Sequence, residues 1–116
     1  MRVAAGLGLV LALIACSSGL TGLGKGACPY VRPRLIRVDT DRANLPGSLG
    51  DLRAVADDIG DYVQTNLPDG GRARSDQPLV RFSAALTAYA KGGATAPQPL
   101  ETAEAAVSRE CAVHGY

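Results

Sequence analysis

The sequence predicts a small all-α protein, a bundle of three or four helices in up-down order. In three segments, apolar residues recur at three- and four-residue steps, the spacing that gives a helix one apolar face. Short connectors rich in proline and glycine separate these segments, as is typical of antiparallel neighbours in a bundle. Aromatic residues are scarce, with four Tyr, one Phe and no Trp. This composition favours a helical core of Leu, Val, Ile and Ala over a β-sandwich.

The segment from Cys28 to Asp41 is compatible with two conformations. Pro33 disfavours a helical conformation at the residue before it, yet proline is accepted in the first turn of a helix. A short helix from Pro33 to about Asp39 and an extended strap packed on the bundle therefore both remain open. Residues 41–46 are expected to form a loop.

Ser48 begins the clearest helix. Ser48 and Asp51 resemble a capping box, in which both side chains bond backbone amides at the start of a helix. The apolar stripe that follows consists of Leu52, Val55, Ala56, Ile59, Tyr62 and Val63. A cluster of helix-breaking residues at 66–71 predicts its end.

Two further helices are predicted by the same criteria. Asp76 is a suitable N-cap residue with Pro78 in the first turn, and the glycines at 92–93 provide a stop. The stripe of this helix consists of Leu79, Phe82, Ser83, Leu86, Tyr89 and Ala90. The last helix is expected from about Pro99 to Val113, and its stripe consists of Leu100, Ala103, Val107 and Cys111.

The N-terminus has the layout of an export signal. A positive start, Met1-Arg2, precedes an apolar stretch at residues 3–14. About a dozen apolar residues suit a signal segment and fall short of the roughly twenty that cross a bilayer. The stretch ends in Leu13-Ile14-Ala15-Cys16, which matches the lipobox. The segment therefore resembles bacterial lipoprotein signal peptides.

This resemblance implies that Cys16 carries a thioether-linked diacylglycerol and that cleavage falls between Ala15 and Cys16. Two acyl chains give stable membrane anchoring where one chain binds only marginally. The implied organisation is a signal peptide at 1–15, a lipidated cysteine with a Gly/Ser-rich tether at 16–27, and a helical domain at 28–116. The competing interpretations of Cys16 are an ordinary residue near a cleavage site, part of an uncleaved anchor, and a half-cystine.

Export places the domain in an oxidising compartment. With Cys16 lipidated, Cys28 and Cys111 remain as a pair with one possible connectivity, so we expect a disulfide that closes the bundle. The alternatives are zinc ligation and a reactive thiol. Both are disfavoured, because His114 is the single histidine and no CxxC motif is present.

The charge of the chain gives no reason to expect a nucleic-acid partner. The formal net charge is +1, and removal of Arg2 with the signal peptide leaves the side chains balanced, so no global field recruits polyanions. A local basic run follows the tether and consists of Lys25, Arg32, Arg34 and Arg37. These residues are candidates for contact with anionic headgroups. The alternative is pairing with the acidic residues between positions 39 and 61.

No arrangement of residues predicts catalysis or metal binding. Asp57 and Asp61 share a helix face, but a divalent ion needs several converging oxygens, so a solvated face is the simpler interpretation. His114 lies near Ser108 in sequence, on a different face and without a nucleophile motif. We therefore expect no catalytic residues, no metal and no cofactor.

The sequence predicts a non-enzymatic, lipid-anchored interaction or accessory module on the extracytoplasmic face of a bacterial membrane, with an envelope protein as its partner. In layout it resembles the small helical lipoproteins with paired cysteines found in actinobacteria. The alternative is a carrier of a small apolar ligand or lipid, which requires an apolar pocket above about 300 Å³ between helices. An envelope enzyme is a third, weaker hypothesis.

Overall fold

The computed structural model describes residues 27–113 and 115 and contains four α-helices, with no strand among these residues. The helices are α1 (Cys28–Ala43), α2 (Leu49–Asn66), α3 (Gln77–Lys91) and α4 (Gln98–Val113). Two short 3-10 turns, Pro68–Gly71 and Arg74–Asp76, join α2 to α3. The predicted all-α bundle is confirmed.

Neighbouring helices run antiparallel, as contacts between distant residues show. The pairs are Tyr30 with Tyr62 and Arg37 with Asp51 between α1 and α2, Arg53 with Ala90 between α2 and α3, and Cys28 with Cys111 and Arg42 with Glu101 between α1 and α4. Between α2 and α3, a Cβ on Gly60 would also lie 3.7 Å from Oγ of Ser83. Residue numbers therefore rise along one helix of each pair as they fall along the other. The topology is therefore up-down-up-down, with α1 and α4 closing the bundle.

The expected disulfide between Cys28 and Cys111 is present, with a Cα–Cα distance of 5.7 Å. It joins the first residue of α1 to the last turn of α4. Both cysteines are fully buried, as their places on the apolar stripes require. The bond therefore fastens the two ends of the described chain to each other.

Helix α1 is longer than the segment Pro33 to Asp39 that the sequence offered as a possible helix, and the strap alternative is wrong. The loop expected at residues 41–46 is also partly wrong, because the helix continues to Ala43. Pro33 costs about 3 kcal/mol inside a helix, but it is exposed and lies off the buried stripe. Burial of that stripe offsets the cost. Its members are Cys28, Val31, Leu35, Val38 and Asp41.

The two predicted side-chain caps are absent. Ser48 occupies the N-cap position of α2, but its hydroxyl donates to the backbone carbonyl of Asp41 and bonds no amide. The carboxylate of Asp51 accepts hydrogen bonds from Arg37 instead. Asp76 stands at the start of α3, likewise without a bond to an amide. Tertiary partners on α1 have replaced the local bonds of the expected capping box.

The core is continuous and consists of the predicted stripes of α2, α3 and α4 together with α1. Most stripe positions are buried, while Tyr62 and Ala103 are only partly buried. The largest fully buried side chains are Phe82, Leu52, Ile59, Leu79, Leu86 and Leu100. Aliphatic side chains thus fill most of the bundle, and Phe82 and Tyr89 are its buried aromatic residues.

Gly71 provides a test of close packing in the connection between α2 and α3. Its φ is +84°, and a Cβ there would lie 2.6 Å from Cγ2 of Val80. Gly93 has a similar φ of +79° with nothing within 4 Å. We expect Gly93→Ala to cost about 1 kcal/mol through backbone strain alone. Gly71→Ala should cost a further 1–3 kcal/mol, roughly, because the methyl overpacks the core. Equal losses in urea unfolding would contradict this difference.

Candidate functional site

The residues expected to carry membrane anchoring lie outside the described part of the chain. Ala15, Cys16 and Lys25 belong to residues 1–26, and His114 is also outside it. Signal cleavage and lipidation therefore stay predictions. Among the described residues, the candidate site consists of charged and aromatic side chains of the bundle.

Two members of the basic run are held by acidic residues of α2. Arg34 Nε donates to Oδ2 of Asp58 at 2.7 Å, and Arg37 binds both carboxylate oxygens of Asp51. The bond from Arg34 lowers the pKa of Asp58 below its usual value. Internal pairing is thus what the structure shows for these two arginines. Membrane contact by the basic run stays a prediction.

An aromatic cluster lies beside these ion pairs. The rings of Tyr30 and Tyr62 stack with centroids 3.9 Å apart, and the Arg34 guanidinium lies 3.6 Å from the Tyr30 ring centroid. The Tyr30 hydroxyl donates to the backbone carbonyl of Asp58 at 3.1 Å. Burial, and secondarily Asp58, raise the pKa of Tyr30 to about 12. At neutral pH this hydroxyl is therefore a hydrogen-bond donor that joins α1 to α2, and it is unsuited to act as a base.

A pair of carboxyl groups lies at the C-terminal end of α1. Asp41 is nine-tenths buried, and its Oδ2 accepts no hydrogen bond. Burial, and then hydrogen bonding to Asp51, raise the pKa of Asp41 to about 6. Bonding to Arg37, and then to Asp41, lowers the pKa of Asp51 to about 2. In mildly acidic solution the pair shares one proton, which Asp41 carries.

A second carboxyl pair joins α1 to α4. Glu104 is hydrogen-bonded to Asp39, with Arg42 and Glu101 as the other charged neighbours. Burial, and then the bond to Asp39, raise the pKa of Glu104 to about 7. Two carboxyl groups near the end of α1, Asp41 on that helix and Glu104 on α4, therefore bind protons more tightly in the folded state than in the unfolded chain.

These carboxyl pairs predict that the bundle is more stable at about pH 5 than at about pH 8. Glu104 titrates near 4.5 when unfolded and at about 7 when folded. The stability that Glu104 contributes is fully present below its unfolded pKa and is lost as pH rises through its folded pKa. Asp41 has the same effect, because its pKa rises from 3.8 to about 6 on folding. Urea unfolding midpoints at the two pH values measure the effect.

Glu104→Gln tests the assignment. The glutamine amide donates to Asp39 at every pH, so we expect the midpoint of the variant to differ less between the two pH values. Glu110→Gln makes the same change on the same helix outside the pair and serves as the control. If the unfolding midpoint of Glu104→Gln differed between the two pH values as much as that of the wild type, the role of this pair would be contradicted.

An open groove of about 820 Å³ lies between α3 and α4. Alanine and proline side chains of the two helices and their connector form most of its walls, and Arg81 lies among its lining residues. Ala85, Ala103 and Ala106 are its partly buried positions. The volume exceeds the roughly 300 Å³ that a carrier requires, but the groove is open to solvent and is not enclosed between helices. Of the predicted stripe residues, Ala103 alone lines the groove, so the stripes did not predict its position.

Asp57 and Asp61, which share a face of α2, are both exposed. Their neighbour Asp58 binds Arg34. Within residues 27–113, no group of three or more His, Cys, Asp or Glu side chains is placed to hold a metal ion. Ser108 is exposed on α4.

The fold defines a small, disulfide-closed four-helix bundle. No family model, curated protein or solved structure matches the chain. Among the described helices, none combines the length and apolar character needed to cross a bilayer. Function must therefore be inferred from the residues of this chain alone.

Proposed function

We propose that this chain is a lipid-anchored, non-catalytic interaction or accessory module on the outer face of a bacterial membrane. The observation that carries the proposal is the buried disulfide between Cys28 and Cys111. Such bonds persist in oxidising compartments outside the cytoplasm, which supports export. This disulfide also accounts for two of the three cysteines of the chain. The remaining one is Cys16, at the lipobox position.

The position of the disulfide suits a tethered domain. Ten residues, 17–26, separate Cys16 from the described bundle. Fully extended at about 3.5 Å per residue, they reach roughly 35 Å. The chain enters the bundle at Cys28, whose bond to Cys111 fastens the entry point to α4 as well. A pull on the tether is therefore shared between two helices and cannot strip α1 from the bundle on its own.

The charged side chains support a module that binds a partner rather than transforming a substrate. Three of the described ion pairs and both carboxyl pairs join one helix to another, and Tyr30, whose pKa is strongly raised, donates a hydrogen bond. Catalysis instead requires acid, base and nucleophile groups that converge on a cleft. The proposed partner is a protein of the same envelope.

Intact-mass analysis of the membrane-extracted protein under non-reducing conditions tests the proposal. We expect a mature chain that begins at Cys16, carries diacylglycerol with or without an additional N-acyl chain, and has no free thiol. A Cys16→Ala variant should retain its signal segment and lack lipid. Wild-type protein that retains Met1, or that is alkylated at Cys28 without reduction, would contradict the proposal.

The groove between α3 and α4 favours a second candidate, a carrier of a small apolar ligand. Fluorescence of N-phenyl-1-naphthylamine, an apolar probe, measures such binding. Ala106→Leu places a larger side chain in the groove and should weaken binding. Ala105→Leu makes the same change at an exposed position that does not line the groove, so it should leave binding intact. An absent fluorescence increase, or equal effects of the two variants, would exclude this candidate.

A further inference from the structure

One end of the bundle differs in charge from the rest. The start of α1, the connection between α2 and α3, and the last turns of α4 meet there, because the disulfide and the stack of Tyr30 on Tyr62 bring them together. We call this the tether end and define it as residues 28–33, 62–81 and 108–113. It is the end from which the chain leads back toward Cys16.

The tether end is rich in arginine. Its basic residues are Arg32, Arg72, Arg74, Arg81 and Arg109, and its acidic residues are Asp69, Asp76 and Glu110. The rest of the described bundle has the opposite balance, with five basic and eight acidic side chains. Asp76 is 2% exposed, and burial raises its pKa, so it offsets the surface charge poorly. The bundle is therefore electrically polar, with its positive end toward the tether.

Four arginines of this end, Arg72, Arg74, Arg81 and Arg109, are also less neutralised than three arginines elsewhere in the bundle. Arg74, Arg81 and Arg109 are exposed and form no salt bridge with any described residue. Arg72 lies 4.0 Å from Asp69, and both side chains are more than three-quarters exposed, a geometry that contributes little. Away from this end, by contrast, salt bridges hold Arg34, Arg37 and Arg42.

Two of these arginines come from neighbouring helices and lie at the same end of the α3–α4 groove. Arg81 precedes Ala85 by about one turn, and Arg109 follows Ala106 by three residues. Because α3 and α4 run antiparallel, both positions fall toward the connection that carries Arg72 and Arg74. The four guanidinium groups thus belong to one end surface, although they are distant in sequence.

We propose that the tether end docks on anionic phospholipid headgroups through Arg72, Arg74, Arg81 and Arg109. The proposal rests on the lipid anchoring proposed above, which brings this surface within reach of the bilayer. Guanidinium groups bind phosphate oxygens in a bidentate manner and are only weakly hydrated. Docking leaves the acidic half of the bundle and the turn at residues 92–97 pointing away from the membrane.

This surface is not the basic run recognised in the sequence. Arg34 and Arg37 would have to give up their bonds to Asp58 and Asp51 to reach a headgroup. Arg74, Arg81 and Arg109 have no salt bridge with a described residue to give up, and Arg72 gives up only its exposed contact with Asp69. Electrostatic attraction to lipid therefore favours the end of the bundle over the side of α1.

Limited trypsin digestion of the lipidated protein in vesicles tests the docking. Trypsin sites after Arg72 and Arg74 lie at the tether end, and the site after Lys91 lies at the opposite end and serves as an internal reference. The protein is compared in phosphatidylcholine vesicles with and without phosphatidylglycerol. We expect phosphatidylglycerol to slow cleavage at Arg72 and Arg74 about tenfold relative to Lys91. Salt at about 1 M should abolish the protection.

A pair of variants separates local charge from total charge. Arg81→Gln with Arg109→Gln retains the two monitored trypsin sites, after Arg72 and Arg74, and should restore cleavage there on anionic vesicles. Ala84→Glu with Ala105→Glu changes the net charge by the same amount at exposed positions in the middle of α3 and α4. This control should leave the protection intact. Equal loss of protection in both would overturn the proposal.

Flotation of the protein with both kinds of vesicle reports the lipid anchor separately. If the protein floats with both kinds of vesicle but phosphatidylglycerol does not change the cleavage rate at Arg72 and Arg74 relative to Lys91, the docking on anionic headgroups is overturned. The lipid anchoring is then left intact. A protein that floats with neither vesicle overturns both the anchoring and the docking.

Discussion

Replacement of both Cys28 and Cys111 by alanine is expected to lower the free energy of unfolding by about 4 to 4.5 kcal/mol. The bond closes a loop whose ends are 83 positions apart, so its loss restores a large conformational freedom to the unfolded chain. Domains of this size are stable by only about 5–15 kcal/mol. The change therefore removes a large part of the stability that holds the bundle folded.

Thermal unfolding followed by far-ultraviolet circular dichroism measures this effect. For a domain of this size, the expected loss corresponds to a fall in Tm of about 20–35 °C. Wild-type protein treated with a reductant should fall by a similar amount, whereas the double variant should not respond to reductant. A fall of less than about 5 °C would show that the unfolded chain gains little freedom from losing this bond.

The sequence was sufficient to predict the three helices with clear apolar stripes and the pairing of the two cysteines. It was not sufficient for α1, because Pro33 and Pro29 carry a local signal against a helix that packing overrides. The stripe from Val31 to Val38 buries its side chains against neighbours supplied by the rest of the chain. Local propensity weighs less than such burial once the bundle has formed.

The carboxyl pairs and ion pairs could not be predicted in detail, since they depend on the register between helices. Internal pairing of the basic run was one of two alternatives, but sequence does not show that Arg37 faces Asp51 or that Glu104 faces Asp39. The capping box failed for the same reason. A local motif competes with partners from another helix, and Asp51 is bound by a guanidinium on α1 that gives two charge-assisted bonds.

Phe82→Ala is expected to destabilise the bundle by about 3–5 kcal/mol. Phe82 is the single phenylalanine of the chain, and its side chain is fully buried. The surrounding aliphatic side chains belong to several helices, and they can close only part of the cavity that the ring leaves. The variant should therefore lose both the transfer free energy of the ring and its packing contacts.

Urea unfolding with the disulfide intact measures this loss as a lower midpoint at an unchanged slope. Ile36→Ala is the control, because Ile36 is 63% exposed on α1 and should change stability by no more than about 0.5 kcal/mol. Phe82 lies on α3, whereas the disulfide joins α1 to α4, so its loss should add to that of the disulfide. The combined variant would then lack about 7–9.5 kcal/mol, as much as many domains possess. If Phe82→Ala cost no more than Ile36→Ala, the bundle would not depend on this ring as the centre of its core.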